Sequence, residues 1–241
     1  MSRHCELMEF HVEALYTHDA AGRIVRVREH NGAAAPRFFL GRTADGVVRR
    51  YRDDCDDALC RELEADSEET TPIGFTADPA ADAAAELARY AEVLARSAPV
   101  ERTEAGPAFA FPPELPAPYG TCDAAVVLVT EENAGLLLPL LAAWVPDVRR
   151  SPPLFALVVD GRAVAVCGSV RITPSAHEAG VDTAPLFRGL GYAPRVVASW
   201  ARAVRTLGAE PLYSTAWHNA ASRSVARKLG LVQFGRDLHV T

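Results

Sequence analysis

A single lysine, Lys228, stands among 25 basic residues. That scarcity excludes a G-x-x-x-x-G-K-[ST] phosphate loop, which needs a lysine after its last glycine. There is no G-x-G-x-x-G, and no acidic residue follows a further strand to read a ribose, which excludes the dinucleotide fingerprint. The five cysteines, Cys5, Cys55, Cys60, Cys122 and Cys167, form no C-x-x-C and no paired metal spacing. No metal site is expected, and an odd, scattered set reads as the reduced thiols of a cytoplasmic protein. The opening MSRHCELMEF lacks the apolar core of a secretory signal. The longest apolar run, Ala134 to Pro146, carries Pro139 and falls short of the about 20 residues that span a bilayer. No dense basic patch occurs, so neither nucleic acid nor membrane is an expected partner.

What is present is an ordinary globular composition, 49% hydrophobic and 23% charged over 241 residues, which excludes a disordered chain or a coiled coil. That length suits one large domain or two small ones. The net charge of −6 is uneven. Residues 1–120 hold 13 Arg against 22 acids, and residues 121–241 hold 12 basic residues against 9 acids. A small polyanion suits the second half. A cationic substrate suits the first, although solvated carboxylates are the ordinary reading of acidic surface.

The stretch 106–120 is proline-rich without helical period and reads as an extended connector. It divides the chain into an α+β domain, 1–118, and a second domain, 119–241. In the first, Phe10–Tyr16 and Arg23–Val27 read as strands around Asp19–Gly22. Arg37–Leu40 and Val47–Tyr51 read as a hairpin around Ala44–Gly46, and Asp56–Ala65 and Ala80–Arg96 as helices. The second domain alternates. Strand Ala124–Val129 precedes helix Glu131–Trp144. Strands Leu154–Val159 and Arg162–Arg171 flank the turn Asp160-Gly161. Strand Glu178–Thr183, helix Gly191–Leu207, strand Pro211–Trp217, helix Asn219–Leu229 and strand Val232–Val240 follow. Strands interleaved with helices give an α/β class with a mixed sheet.

The chemistry gathers in Val181 to Ala193. A β-branched strand ends at Thr183, Pro185 stops the ladder, and Arg188-Gly189-Leu190-Gly191-Tyr192-Ala193 turns directly into a helix. The glycines allow positive φ and close approach of a ligand. The helix start offers unpaired amides and the positive dipole end, which suit phosphate or pyrophosphate.

This stretch resembles the pyrophosphate loop [QR]-x-x-G-x-[GA] of the GNAT superfamily of acyl-CoA-dependent N-acyltransferases. Arg188, Gly191 and Ala193 occupy its three defining positions. Leu212 to Gly230 is similar to the family's fifth strand, the Asn after it (Asn219) and the next helix, which ends in K-L-G. The strand and helix order of 121–241 matches as well, so the resemblance covers about half the chain.

The resemblance implies a GNAT-like fold and bound acetyl-CoA. The fourth and fifth strands part, and the pantetheine arm bonds the backbone of Val181 and Thr183. The pyrophosphate takes the amides of Gly189, Leu190, Gly191, Tyr192 and Ala193 with help from Arg188, and Asn219 and Ser222 stand beside the pantetheine. Arg195 is placed to reach the adenosine phosphates or to face solvent. Catalysis is direct attack of an amine on the thioester. The family often places a base where His177 and Glu178 open the fourth strand. Strand alternation puts these two on opposite faces, and the choice between them stays open, with His218 a third candidate. Many members carry a Tyr seven residues after the Asn as acid for the thiolate. That position is Ala226 here, and Ser222, one turn before it, is the replacement candidate. The expected activity is transfer of an acetyl group to a primary amine of a small molecule. A non-catalytic acyl-CoA-binding module is the alternative. The added N-terminal domain would shape acceptor choice or a homodimer contact.

Overall fold

The hydroxyl of Ser2 accepts the Cys5 amide at 3.3 Å and so starts the first helix. The computed structural model describes residues 1–30, 32–67, 78–115 and 125–241. In chain order these form α1 (Arg3–Leu15), β1 (Tyr16–His18), β2 (Ile24–Val27), β3 (Phe38–Thr43), β4 (Val47–Tyr51), α2 (Asp57–Ser67), α3 (Pro79–Ala95), β5 (Thr103–Ala110), β6 (Ala125–Leu128), α4 (Asp147–Arg150), β7 (Leu154–Val159), β8 (Arg162–Ile172), β9 (Ala176–Thr183), α5 (Tyr192–Thr206), β10 (Glu210–Ser214), α6 (Ala220–Lys228) and β11 (Val232–Val240). Single turns of tighter helix occur at Ala134–Leu137, Ala142–Trp144 and Pro185–Phe187. The class is mixed α/β, as expected.

Two units result. The first is Met1–Phe109 with Ser214–Ala220 and Gln233–Thr241, and the second is Ala110–Tyr213 with Ala221–Val232. A single cut at 118/119, itself outside the described residues, puts 214–220 and 233–241 in the second domain. Hydrogen bonding puts them in the first. β11 runs antiparallel to β3, from Gly235 opposite Thr43 to Val240 opposite Phe38. The amides of Thr215 and Trp217 donate to Pro107 and Ala105 of β5, at 3.3 and 3.1 Å.

In the first unit the neighbour order is β4-β3-β11-β5, with β1 and β2 as a separate hairpin. The expected strand Phe10–Tyr16 is the end of α1 instead. Leu7, Met8, His11, Val12 and Leu15 are buried at helical spacing, and only Tyr16 passes into β1. Met8 lies flat on the sheet because Gly41 and Gly235 have no side chain. A Cβ at either would come within 2.5 Å of Met8. Phe38 stacks on Tyr51 at 5.4 Å and meets Tyr90 edge-on at 5.0 Å, with Leu59, Leu63, Leu87 and Leu94 filling the space around them.

This core also buries charge. Asp237 accepts from His11 Nε2 at 2.5 Å and faces His239 Nε2 at 3.4 Å, and the other nitrogen of His239 meets the Tyr16 hydroxyl. Burial pushes the Asp237 carboxyl up, but the charge of His239 and the hydrogen bonds from both histidines outweigh it and hold it well below the usual carboxylate range. Nearby, Glu86 accepts from Arg42 at 2.5 Å and from Arg236 at 2.8 Å.

In the second unit the order is β10-β9-β8-β7-β6, and α5 packs on β7, β8 and β9. The expected turn between β7 and β8 is present, with Asp160 and Gly161 at φ of 47° and 74°. The expected helix Glu131–Trp144 does not form. Pro139 has no amide to donate, and Asn133 folds its side chain back to the Thr130 amide and the Leu128 carbonyl, at 2.8 and 3.0 Å. Short turns replace the helix. The expected connector 106–120 is a strand up to Ala110. Arg205 of α5 then holds the carbonyls of Phe111, Pro112 and Pro113, at 2.8, 2.8 and 3.0 Å. Residues 116–120, Cys122 and Ala124 lie outside the described residues. Cys5, Cys55, Cys60 and Cys167 are free. Among the described residues no helix is long and apolar enough to cross a membrane.

Replacing Asp237 by Ala removes the carboxylate that the buried His11 and the half-buried His239 share. A loss of about 3 kcal/mol is expected in urea denaturation at pH 7. Because the carboxyl is held low, its contribution is present above its unfolded pKa of about 4 and is lost as pH falls further. The wild type should therefore lose more stability between pH 5 and 3 than Asp237→Ala, a steepness of about one proton's worth.

Candidate acyl-donor site

β9 and β10 run parallel, and their register covers Ala176 with Glu210, His177 with Pro211 and Glu178 with Leu212. There the pairing of β9 with β10 ends, while Ala179 to Thr183 remain paired to β8, up to Thr183 opposite Ala165. The outer edge of β9 beyond Glu178 therefore turns unladdered backbone toward the side where β10 has left it. Thr183 shows which groups lie on that edge. Its amide takes the Asp182 carboxylate at 2.7 Å, and its carbonyl takes Arg188 Nε at 3.0 Å. By strand alternation the amide and carbonyl of Val181 face the same way.

After β9, the turn Pro185–Phe187 leads into Arg188 to Gly191. Gly189 and Gly191 have φ of 82° and 80°, a region that side-chain-bearing residues avoid. Gly191 is the N-cap of α5 and has no side chain to satisfy the first-turn amides. Tyr192 and Ala193 thus begin the helix with amides that have no intrahelical acceptor. Pro194, buried in the same turn, contributes none. Leu190 is exposed, and the ring of Tyr192 lies 6.5 Å from that of Phe187. Arg188 reaches back to β9 rather than forward over the loop, with its guanidinium 4.0 Å from Asp182.

His177 and Glu178 are both buried and, on adjacent strand positions, face opposite sides. His177 joins a chain behind β9. Trp200 Nε1 donates to Ser169 Oγ at 2.9 Å, and Ser169 Oγ meets His177 Nδ1 at 2.8 Å. An indole only donates, so Ser169 Oγ accepts from Trp200; assigning the Ser169 proton to Nδ1 puts the imidazole proton on Nε2. Burial lowers the pKa of this ring and keeps it neutral. Glu178 shares its face with Gly180 and Asp182. A Cβ on Gly180 would stand 2.1 Å from Val170 Cγ1 and 3.0 Å from Trp144 Cη2, so the Trp144 indole lies over this face.

Ser222, on α6, pairs its hydroxyl with Tyr213 of β10 at 2.7 Å. Burial pushes the Tyr213 phenol up to about 12, so it stays protonated. Ala226 is buried. Asn219 and His218 are exposed just before α6, in the segment 214–220 of the first unit. Arg195 is half-buried in the first turn of α5. Cys167 is wholly buried, and burial pushes its thiol well above the ordinary range, which suits packing. The second unit thus brings together His177, Glu178, Val181, Thr183, the loop 188–193 and Ser222. Sequence reasoning missed Ser169, Trp144 and Tyr213. The alternation of β10, which puts Leu212 and Ser214 on the other face from Tyr213, was the available signal for the last.

A mixed sheet whose two parallel strands stop pairing ahead of a glycine-capped helix agrees with the GNAT-like fold that the sequence resembles. Residues 158–237 match the family described as FR47-like protein, which is GNAT-related, and this segment contains β8 to α6. No curated protein matches the chain. Solved structures similar to it include a GNAT-family protein from Novosphingobium aromaticivorans, at 21% identity and TM-score 0.47, over 58% of this chain and 65% of that one. The chain thus spans just under two thirds of that protein's length. Another is an acetyltransferase of the GNAT family from Colwellia psychrerythraea, at 15% identity and TM-score 0.48, over 87% and 82% of the two chains. A third is AAC(6')-Iy in complex with the bisubstrate analog CoA-S-monomethyl-acetylneamine, at 18% identity and TM-score 0.38, over 47% and 93%.

Ser169→Ala removes the acceptor of Trp200 and the partner of His177 together and should cost about 2 kcal/mol in urea denaturation. Ring-nitrogen NMR of the wild type should find His177 as the Nε2–H tautomer and still neutral at pH 6.5. Because its pKa is lowered, its contribution to stability is complete above its unfolded pKa of about 6.5 and declines as pH falls below that.

Proposed function

We propose that the protein transfers an acetyl group from acetyl-CoA to a primary amine of a small molecule. The observation that carries this reading is the end of β9–β10 pairing at Glu178, with a glycine-capped helix start next along the chain. The opened edge of β9 offers the Val181 amide and carbonyl to an extended amide-bearing arm. The donors of Leu190 to Ala193 suit a pyrophosphate, which backbone amides and the helix dipole bind without a lysine. In this reading Thr183 exchanges its internal partners, Asp182 and Arg188, for ligand atoms, which frees the Arg188 guanidinium for phosphate.

Glu178 is the base. It sits at the last paired position before the strands part, whereas His177 spends Nδ1 on Ser169 and holds its proton on Nε2. The carboxylate takes a proton from the ammonium group, and the neutral amine attacks the thioester carbonyl carbon. The carbon–sulfur bond then breaks with its electron pair on sulfur, and the second proton shed by the attacking nitrogen goes to that thiolate, giving the amide and the free thiol. Ser222, backed by the protonated Tyr213 phenol, is the hydroxyl to meet that sulfur one turn before Ala226. Trp144, above the same face as Glu178, suits a cationic acceptor through its ring face. The buried Ala226 favours the second reading, a module that binds acyl-CoA without turning it over.

Calorimetric titration with acetyl-CoA should give a one-to-one complex. At about 100 times its Kd the ligand should add roughly 2.7 kcal/mol of stability. Gly191→Trp should abolish both effects. Glu178→Gln should bind acetyl-CoA as the wild type does but release thiol roughly 100- to 1,000-fold more slowly with an accepted amine. No complex at millimolar acetyl-CoA would sink the proposal. A complex without thiol release over a broad amine panel would select the binding module.

A further inference from the structure

The first unit holds a cavity of about 480 Å³, lined by Glu13, His18, Arg23, Arg49, Arg50 and Tyr51 with the turn 19–22. Its volume is that of a small-molecule site, and the acyl-transfer reading makes no use of it. Its lining is rich in donors and poor in acceptors. Three guanidinium groups face two carboxylates, and one of these is engaged. Asp19 Oδ1 accepts the Ala21 and Arg23 amides at 2.9 and 2.8 Å, which closes the turn on itself. Arg23 is oriented by bonds to the Cys55 carbonyl at 3.2 Å and to Asp57 at 2.9 Å, and it lies over the Tyr51 ring at 5.7 Å. Arg50 is oriented by Glu9 and by the Arg49 carbonyl. A guanidinium has five N–H groups, so these bonds aim the two arginines without exhausting them.

His18 is the group left over. Its Nε2 is buried and has no hydrogen-bond partner in the protein, a deficit of a kind that native structures seldom keep. His18 ends β1, which pairs with β2 with a shift of register between Thr17 and His18, and Tyr16, two residues earlier, is fastened to His239. The groups around it are Arg50 and Arg28 on the positive side and Glu13 and Asp19 on the negative side. Burial first, and then Arg50, lower its proton affinity. An incoming negative charge would meet Arg50 and Arg28 beside the ring.

We propose that this cavity binds the oxyanion group of a small metabolite, a carboxylate or a phosphate, through His18 Nε2–H with Arg49 and Arg50 alongside. The bound anion supplies the partner that His18 Nε2 lacks.

The test is histidine-ring and amide NMR of the full chain, titrated separately with inorganic phosphate and with acetate, then repeated on His18→Ala. The His18 ring and the amides of 20–23 should shift saturably, and the His18 pKa should rise by about one unit. In His18→Ala the amide shifts should need about tenfold more anion. A response to phosphate alone assigns a phosphate ligand, and one to acetate alone a carboxylate. Three results overturn the proposal: no His18 response to either anion at about 50 mM, beyond any useful affinity; shifts confined to the 189–193 amides; or unchanged affinity in His18→Ala. Should that variant not fold, the wild-type titration decides the matter alone. It also does so independently of acyl-CoA binding, which reports on the second unit.

Discussion

The indole of Trp200 has one proton to give, and the geometry of the second unit follows from where it goes. Trp200 lies on α5, Ser169 on β8 and His177 on β9. Two hydrogen bonds therefore tie a helix to two strands through fully buried atoms, where a missing partner costs most. The tie holds α5 against the sheet from its middle turn. It also holds β9 at His177, immediately before the strand loses β10. The unpaired edge of β9 and the amide-bearing start of α5 are thus positioned by one polar chain. A glycine cap alone could not do that, because it supplies donors but no orientation. The same chain engages Nδ1 of His177 and leaves Glu178 on the opposite face of β9.

The first unit rests on a different kind of constraint. Its last strand, β11, brings Arg236, Asp237 and His239 into a core otherwise built from Phe38, Tyr51, Tyr90 and leucines. Buried charges are tolerated only when paired and hydrogen-bonded. Here Asp237 is paired with groups on α1, and Glu86 of α3 is paired with Arg42 and Arg236. Each bond joins segments far apart in sequence. A hydrophobic strand in place of β11 could slip register by two residues and still bury apolar surface. With Asp237 and Arg236 such a slip strands ions, so the charges select one register even if they add little stability.

Much of this was legible in the sequence, and the exceptions share a cause. The β7–β8 turn, the loop 188–191 and the helix after it are local. Glycine and proline impose their conformations through one or two residues, so their reading survives in any tertiary setting. Phe10–Tyr16 failed because a run with apolar residues at most positions fits either period, and what settled it lay at Gly41 and Gly235, where the sheet makes room for Met8. Glu131–Trp144 failed in the other direction. Its leucines suit a helix, but Pro139 and the side chain of Asn133 compete for the same backbone groups. The division into 1–118 and 119–241 treated the chain as beads on a string, whereas strand pairing returns the C-terminus to the first unit. Of the candidate site, the glycine turn into α5 was readable. The partners that decide protonation, Ser169 and Tyr213, were not, because a hydroxyl in a strand carries no local mark of what it will meet.

The absence of the family's tyrosine, at Ala226, looks different once Tyr213 is considered. Ala226 is buried, so a large phenol at that position on this α6 would need room that the packing does not give. Tyr213 reaches α6 from β10 instead and ends on Ser222, one helical turn earlier. A phenol with its pKa raised to about 12 is a poor proton donor to a thiolate by itself, since transfer would be uphill. As a hydrogen-bond partner it is well suited, because it stays protonated at any working pH and can donate to Ser222 Oγ. Ser222 can then turn its own proton outward without forming an alkoxide. Under the proposed acetyl transfer, no dedicated acid is needed and the leaving sulfur is met by Ser222, backed by Tyr213. That suffices for a leaving group as stable as a thiolate and would not suffice for an alkoxide.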